Sequence, residues 1–192
     1  MRLILASESP WRRELLQRAG VPCEGRAHTV DERAMVETDP ARRARLLARA
    51  KARSVAVIEP DAVVIGADQV CHLEGEVFHK PADPEDHMAQ LRRLRGRTHE
   101  LVTGVALVGP GVERLFDDRT TIRLRDLSDA ELGSYLRTGE GQGCAGGYQV
   151  EGVGAQLIEH VGGDWFNVVG LPVLRLISEL RALGWRPWAS PE

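Results

Sequence analysis

Residues 62–67 read AVVIGA, with Asp61 before them and Asp68 after. A run with no polar side chain has no face to offer water. It is far shorter than the ~20 residues of a membrane span, and it suits a central strand covered on both sides. Such a strand needs helices above and below, and the flanking sequence supplies them. Arg2–Ala6 reads as a first strand. SPWRRELLQRAG then reads as a helix with an apolar stripe through Leu15, Leu16 and Ala19 and a stop at Gly20. A second helix is expected from about Pro40 to Ile58. VCHLEGEVFHKP predicts a hairpin turning at Glu74–Gly75, and Asp83–Leu94 a helix ending at Gly96. HELVTGVALVG and ERLFDDRTTIRL predict two strands around Gly109–Pro110–Gly111. SDAE (128–131) is a capping box opening a helix to Arg137. A glycine-rich loop, a strand near Gln156–His160 and a last helix over Val173–Leu183 complete the chain. Crossovers mixed with hairpins imply an α/β fold with a mixed central sheet flanked by helices.

The 192 residues suit one large domain or two small lobes. MRLILAS is too short for a signal peptide, so a cytoplasmic protein without membrane partners is expected. Cys23, Cys71 and Cys144 are odd in number and widely spaced, which fits reduced thiols. Net charge is −3, but residues 1–59 carry twelve basic against eight acidic side chains. That excess suits a small polyanion such as a triphosphate, or plain solvated helix faces. The acidic whole argues against bulk nucleic-acid binding.

GQGCAG (141–146) matches the dinucleotide pattern G-x-G-x-x-G. That fingerprint needs a strand before it and a helix after it. Here a helix precedes it and the non-helical GYQVEG follows, so a backbone-approach loop or a plain turn is expected instead. SESPWRR (7–13) lies between a strand and a helix start, where N–H groups and the dipole favour anions. Ser7 and Ser9 add hydroxyls, and Arg12 or Arg13 can grip phosphate in bidentate fashion. An ordinary Ser-Pro cap with solvated arginines is the alternative. Asp68 is expected at the carboxyl end of the central strand, where open α/β sheets bind ligands. It can hold a divalent metal or take a proton from water, or simply open a turn. With Asp31–Glu32, Lys51 and Lys80, the chain holds the cations and carboxylates that polyphosphate hydrolysis needs.

These stretches resemble the Maf family of nucleoside triphosphate pyrophosphatases along nearly the whole chain. The resemblance rests on LILASESPWRRELL, VDE (30–32), ARAKA (48–52), VIGADQV (64–70), GEVFHKP (75–81), GRTHELVTGVAL (96–107), CAGGYQVEG (144–152) and NVVGLP (167–172). It implies an elongated, two-lobed Maf/ITPase-like α/β fold, with residues 1–192 as one domain around a substrate cleft and a homodimer as partner. It implies hydrolysis to monophosphate and pyrophosphate with a divalent metal, Mg2+ or Mn2+. By the same resemblance Asp68 is the catalytic base and a metal ligand, Glu32 is a metal-side carboxylate, and Ser7, Arg12, Arg13, Lys51 and Lys80 grip phosphates. The family's link to division arrest also admits a nucleotide-binding regulator that hydrolyses nothing.

Three positions depart from the family's commonest form: Trp11, Gln69 after Asp68, and Glu151. They resemble the branch that prefers 7-methyl-GTP over dTTP and UTP. Guanine's pairing edge offers two adjacent donors that a carboxylate can accept together, whereas uracil and thymine suit an amide. Methylation at N7 makes the ring cationic, and Trp11 or Trp165 could supply an aromatic face. GGDWFNVVGLP, by contrast, resembles the dTTP/UTP branch.

Overall fold

The computed structural model describes residues 1–187. The chain opens with strand β1 (Leu3–Leu5), helix α1 (Pro10–Arg18) and the two-residue strand β2 (Glu24–Gly25). Ser9 caps α1 by accepting from the Arg12 N–H, and Pro10 takes the first turn, where its missing N–H costs nothing. Helix α2 (Pro40–Ala56) follows, capped by Asp39. Strand β3 (Val63–Leu73) turns through Glu74 and Gly75, both at positive φ, into strand β4 (Glu76–Phe78). Helix α3 (Pro84–Leu94) leads to the long hairpin of strands β5 (Thr98–Gly109) and β6 (Val112–Leu124). Helix α4 (Asp129–Leu136) carries the expected capping box between Ser128 and Glu131. A 3-10 turn (Val153–Leu157), strand β7 (Ile158–Gly162), helix α5 (Trp165–Val169) and helix α6 (Val173–Ala182) finish the fold.

The strands form one mixed sheet in the order β2-β1-β3-β5-β6-β7, with β4 also on β3. β1 runs parallel to β2 and β3, and every other pairing is antiparallel. The long strands β3, β5 and β6 cross two hydrophobic centres. Val63, Ile65 and Ala67 pack with Leu16 and with Leu176 and Leu180 of α6. Cys71, Leu73, Leu101 and Ile122 pack with Leu91 of α3 and Leu132 of α4. The mixed sheet with helices on both faces is the fold class expected.

Two differences from expectation bear on the site. The apolar run and the hairpin arm are one eleven-residue strand, so Asp68 sits inside β3 and not at its carboxyl end. The polar pair Asp68–Gln69 does not break the strand because β5 pairs with it throughout, at Gly104 and Thr103. Helix α5, only five residues long, was not expected. Its signals are Asp164, which accepts from the Phe166 N–H, and Gly170 at φ 121.

Helix α2 lies flat on the sheet because small residues meet there. A Cβ on Gly66 would overlap the Ala48 carbonyl, and one on Gly104 the Ala44 carbonyl. Ala41, Ala44, Leu47, Ala48, Lys51, Ala52 and Val55 form its buried stripe. We expect Gly66→Ala to lower stability by about 1–3 kcal/mol or more through overpacking, read by denaturant unfolding. An unchanged midpoint would contradict this contact.

Candidate active site

On one side β3 pairs with β1 over Val63–Ile65 and with β4 over Cys71–Leu73. Between these neighbours, residues 66–70 have no strand beside them, and a cleft of about 980 Å3 opens there. Its walls are the β1–α1 turn, the segment around residues 28–33, α2, the β4 exit, the glycine-rich loop, and the end of α5.

Asp68 points to the α2 side of the sheet, 8% exposed, and meets Lys51, 4% exposed on the helix's buried stripe. Lys51 Nζ donates to Asp68 Oδ1 at 2.7 Å and lies 2.9 Å from Glu32 Oε1. One ammonium thus bridges two carboxylates and leaves Asp68 Oδ2 and Glu32 Oε2 for the cleft. Lys51 and Asp68 are both buried, so removing either strands the other's charge in low dielectric. Burial works to raise the Glu32 carboxyl, but hydrogen bonding and charge from Lys51, with His28 and Arg12, hold it below the ordinary value. His28 was not singled out in the sequence. Its Nδ1 accepts from the Val30 N–H at 3.3 Å, and its Nε2 lies 3.6 Å from Glu32 Oε1. Burial and then the Lys51 charge pull His28 below its ordinary value, partly opposed by Glu32.

Arg12 enters from α1. Its Nε donates to the Gly170 carbonyl at 2.9 Å, and its Nη1 to the Ala67 carbonyl at 3.0 Å and Ser7 Oγ at 3.4 Å. The fork is anchored by one edge, leaving the Nη2 donors for a ligand. Burial lowers the guanidinium's pKa, opposed by the charges of Asp68 and Glu32. Ser7 is buried, and its oxygen also accepts from the Ser9 N–H, so the hydroxyl proton remains to be donated. Lys80 and Glu151 are exposed on the cleft wall.

Arg13 is not brought to this cleft. One helical residue beyond Arg12 turns a side chain by about 100°, and Arg13 instead lines a separate groove with Gln17, Val21 and Cys23. Gln69 lies on the opposite face of β3 from Asp68, at the cleft floor. Its Nε2 donates to Thr103 Oγ1 at 3.0 Å and to the Asn167 carbonyl at 2.6 Å. Asn167, fully buried, is itself fixed by donating to the Leu101 carbonyl and Thr120 Oγ1. Trp11 lines the cleft, whereas Trp165, 47% exposed, lies outside it. α5 sends Val168 and Val169 toward the cleft and turns Trp165 away. The glycine-rich loop contributes Cys144, whose thiol burial pushes up to about 11, ahead of the Glu151 charge. Residues 147–152, straight after the pattern, form turns and bends and not an α-helix, so the dinucleotide pattern is a coincidence of spacing.

A family model described as "Maf-like protein" matches residues 2–183. A dTTP/UTP pyrophosphatase of Deinococcus radiodurans is 47% identical over 183 residues, covering 95% of this chain and 93% of that relative. A 7-methyl-GTP pyrophosphatase of Rhizobium johnstonii is 43% identical over 194 residues, covering 95% and 96%. Among solved structures, the Staphylococcus aureus Ham1 protein overlays 66% of this chain and 73% of its own, with a TM-score of 0.48 at 15% identity.

Beneath the loop, Tyr148 Oη meets Nε2 of buried His99 at 2.6 Å. Burial, then the neighbouring His72, draws His99 from 6.5 down to about 4. The unfolded chain therefore takes up this proton first as pH falls. The stability tied to neutral His99 is intact above pH ~6.5 and drains toward pH ~4. We expect thermal midpoints to fall across that window, and His99→Asn to flatten the slope. An unaltered slope would contradict the assignment.

Proposed function

The chain belongs to the Maf family, and from that premise we propose that it hydrolyses a nucleoside triphosphate to monophosphate and pyrophosphate, with 7-methyl-GTP preferred. The observation that carries the chemistry is Lys51 bridging Asp68 and Glu32 beside the anchored Arg12. Lys51 fixes Asp68 through Oδ1, so Oδ2 is the acceptor for a proton from the attacking water. Arg12 Nη2, the Ser7 hydroxyl and Lys80 direct donors toward phosphate oxygens. Water adds at the α-phosphorus, the α–β anhydride bond breaks, and pyrophosphate leaves.

The residues fit a divalent cation, Mg2+ or Mn2+. Five basic and five acidic side chains line the cleft, so an incoming triphosphate brings negative charge the protein does not balance. No cluster of three or more His, Cys, Asp or Glu suited to a metal exists among the described residues. Glu32 and Asp68 would therefore hold a cation shared with substrate phosphates, the usual mode for Mg2+. Such a cation neutralises charge building on the phosphates and leaving group.

For the base, acceptors decide. The Asn167 carbonyl accepts from the Gln69 amide and so orients it inward, leaving Gln69 Oε1 as an acceptor; Glu151 is acceptor-only when ionised. Guanine's N1–H and N2 amino donors match that pair, whereas the acceptors flanking a pyrimidine N3–H do not. Trp11 supplies an aromatic face for the cationic N7-methylated ring. A dTTP/UTP preference is the second reading, favoured by the name of the 47% identical relative.

The test is pyrophosphate release with Mg2+ or Mn2+ from 7-methyl-GTP, GTP, UTP and dTTP. We expect 7-methyl-GTP to lead. Glu151→Gln with Gln69→Thr should shift the kcat/KM ratio toward UTP and dTTP by about tenfold or more, since acceptors that no longer match guanine's donors discriminate against it. Wild-type preference for UTP or dTTP would establish the second reading.

A further inference from the structure

The glycine-rich loop that carries Glu151 is held by a residue outside the cleft. Glu140 follows α4 and does not line the cavity. Its Oε1 accepts from the Val153 N–H and its Oε2 from the Gly154 N–H, each at 2.9 Å. One carboxylate thus spans the loop, from its first residues to the two amides just beyond Glu151. Charge-assisted bonds of this kind are about twice as strong as neutral ones. Gly152 completes the clamp: a Cβ there would overlap the Glu140 carboxylate. Its φ of −118 is open to any residue, so the clamp and not the backbone calls for glycine.

The limbs between these ends are also fixed. Gly141 O accepts from the Cys144 N–H at 2.9 Å, and Cys144 O from the Gly147 N–H at 3.1 Å. His87 Nε2 meets the Gly147 carbonyl at 2.5 Å, and Tyr135 Oη accepts from the Gln149 N–H at 3.2 Å. Of these anchors, only Glu140 acts beyond Gln149, and it fixes the chain on the far side of Glu151.

We propose that Glu140 is a positioning residue for base recognition, setting where Glu151 stands in the cleft while taking no part in phosphate binding or bond cleavage. This rests on the reading of Glu151 as the base-contacting carboxylate. The phosphate donors come from the β1–α1 turn, α1 and the segment after β4, and among the described residues Glu140 hydrogen-bonds only to Thr138, Val153 and Gly154. Loss of the clamp should therefore impair recognition of the base and spare the chemistry.

The experiment compares wild type with Glu140→Ala, Glu140→Gln and Gly152→Ala. It measures kcat and KM for the nucleotide panel, calorimetric nucleotide binding, and inhibition by inorganic tripolyphosphate, which has no base. We expect Glu140→Ala to raise KM and the dissociation constant for the preferred nucleotide about tenfold and to narrow the preference among bases. Misplacements near 1 Å cost about that much or more. kcat should stay within about threefold, and tripolyphosphate inhibition should not change. Glu140→Gln keeps one good acceptor and should fall between. Gly152→Ala displaces the carboxylate and should match Glu140→Ala, with no added effect in the double variant. A folded Glu140→Ala with wild-type preference would overturn the proposal. So would equal losses for nucleotide and tripolyphosphate. If Glu140→Ala does not fold, the other two variants decide. Binding is read separately from turnover, so a chain that binds nucleotides without cleaving them would sink the hydrolase reading and still decide this one.

Discussion

The close seating of α2 on the middle of the sheet is the contact on which the site depends. Gly66 and Gly104 lie under the Ala48 and Ala44 carbonyls, and no larger residue fits at either glycine. That approach puts Lys51 deep enough to reach Asp68 on β3 and Glu32 on the facing segment with one ammonium. A lysine this buried is tolerated because both carboxylates compensate it, and each carboxylate is held because the lysine cannot leave the helix. Geometry and charge are therefore the same constraint: loosening the helix would unpair three charges at once.

The second constraint is a gap in strand pairing. β3 changes partner from β1 to β4 along one edge, and residues 66–70 lie between them. Backbone groups there seek side chains, and the Ala67 carbonyl finds Arg12. The same interval gives the cleft its floor, with Asp68 on one face of the strand and Gln69 on the other. Two hydrophobic centres at the ends of β3, β5 and β6 keep the interval rigid from both sides. On the proposed reading, the β1–α1 turn, α1 and the segment after β4 meet the phosphates, and the glycine-rich loop meets the base.

Much of this was legible in the residues. Ser9–Pro10, Ser128–Glu131 and the Glu74–Gly75 turn are local signals, and each element formed where its cap or turn placed it. Ser7, Arg12, Lys51, Asp68 and Lys80, singled out by chemistry and by family pattern, line one cleft, whereas Arg13 lines another groove. What was not legible depends on contacts distant in sequence. That β3 runs through Asp68–Gln69 follows from its pairing with β5, which no local pattern records. That Arg12 and not Arg13 enters the cleft follows from which face of α1 meets the sheet. Glu140 reads as a solvated turn acid until the amides of Val153 and Gly154 fold back on it. His28 looks like an isolated loop histidine until Glu32 is beside it.

The most direct measurement is turnover and nucleotide affinity of Asp68→Asn, side by side. The substitution keeps the shape of the side chain and removes its ability to accept the water proton. We expect pyrophosphate release at least ~100-fold slower, the scale of a lost general base, with nucleotide binding still measurable by calorimetry. Wild-type turnover in that variant would contradict the role of Asp68 and, with it, the purpose assigned to Lys51.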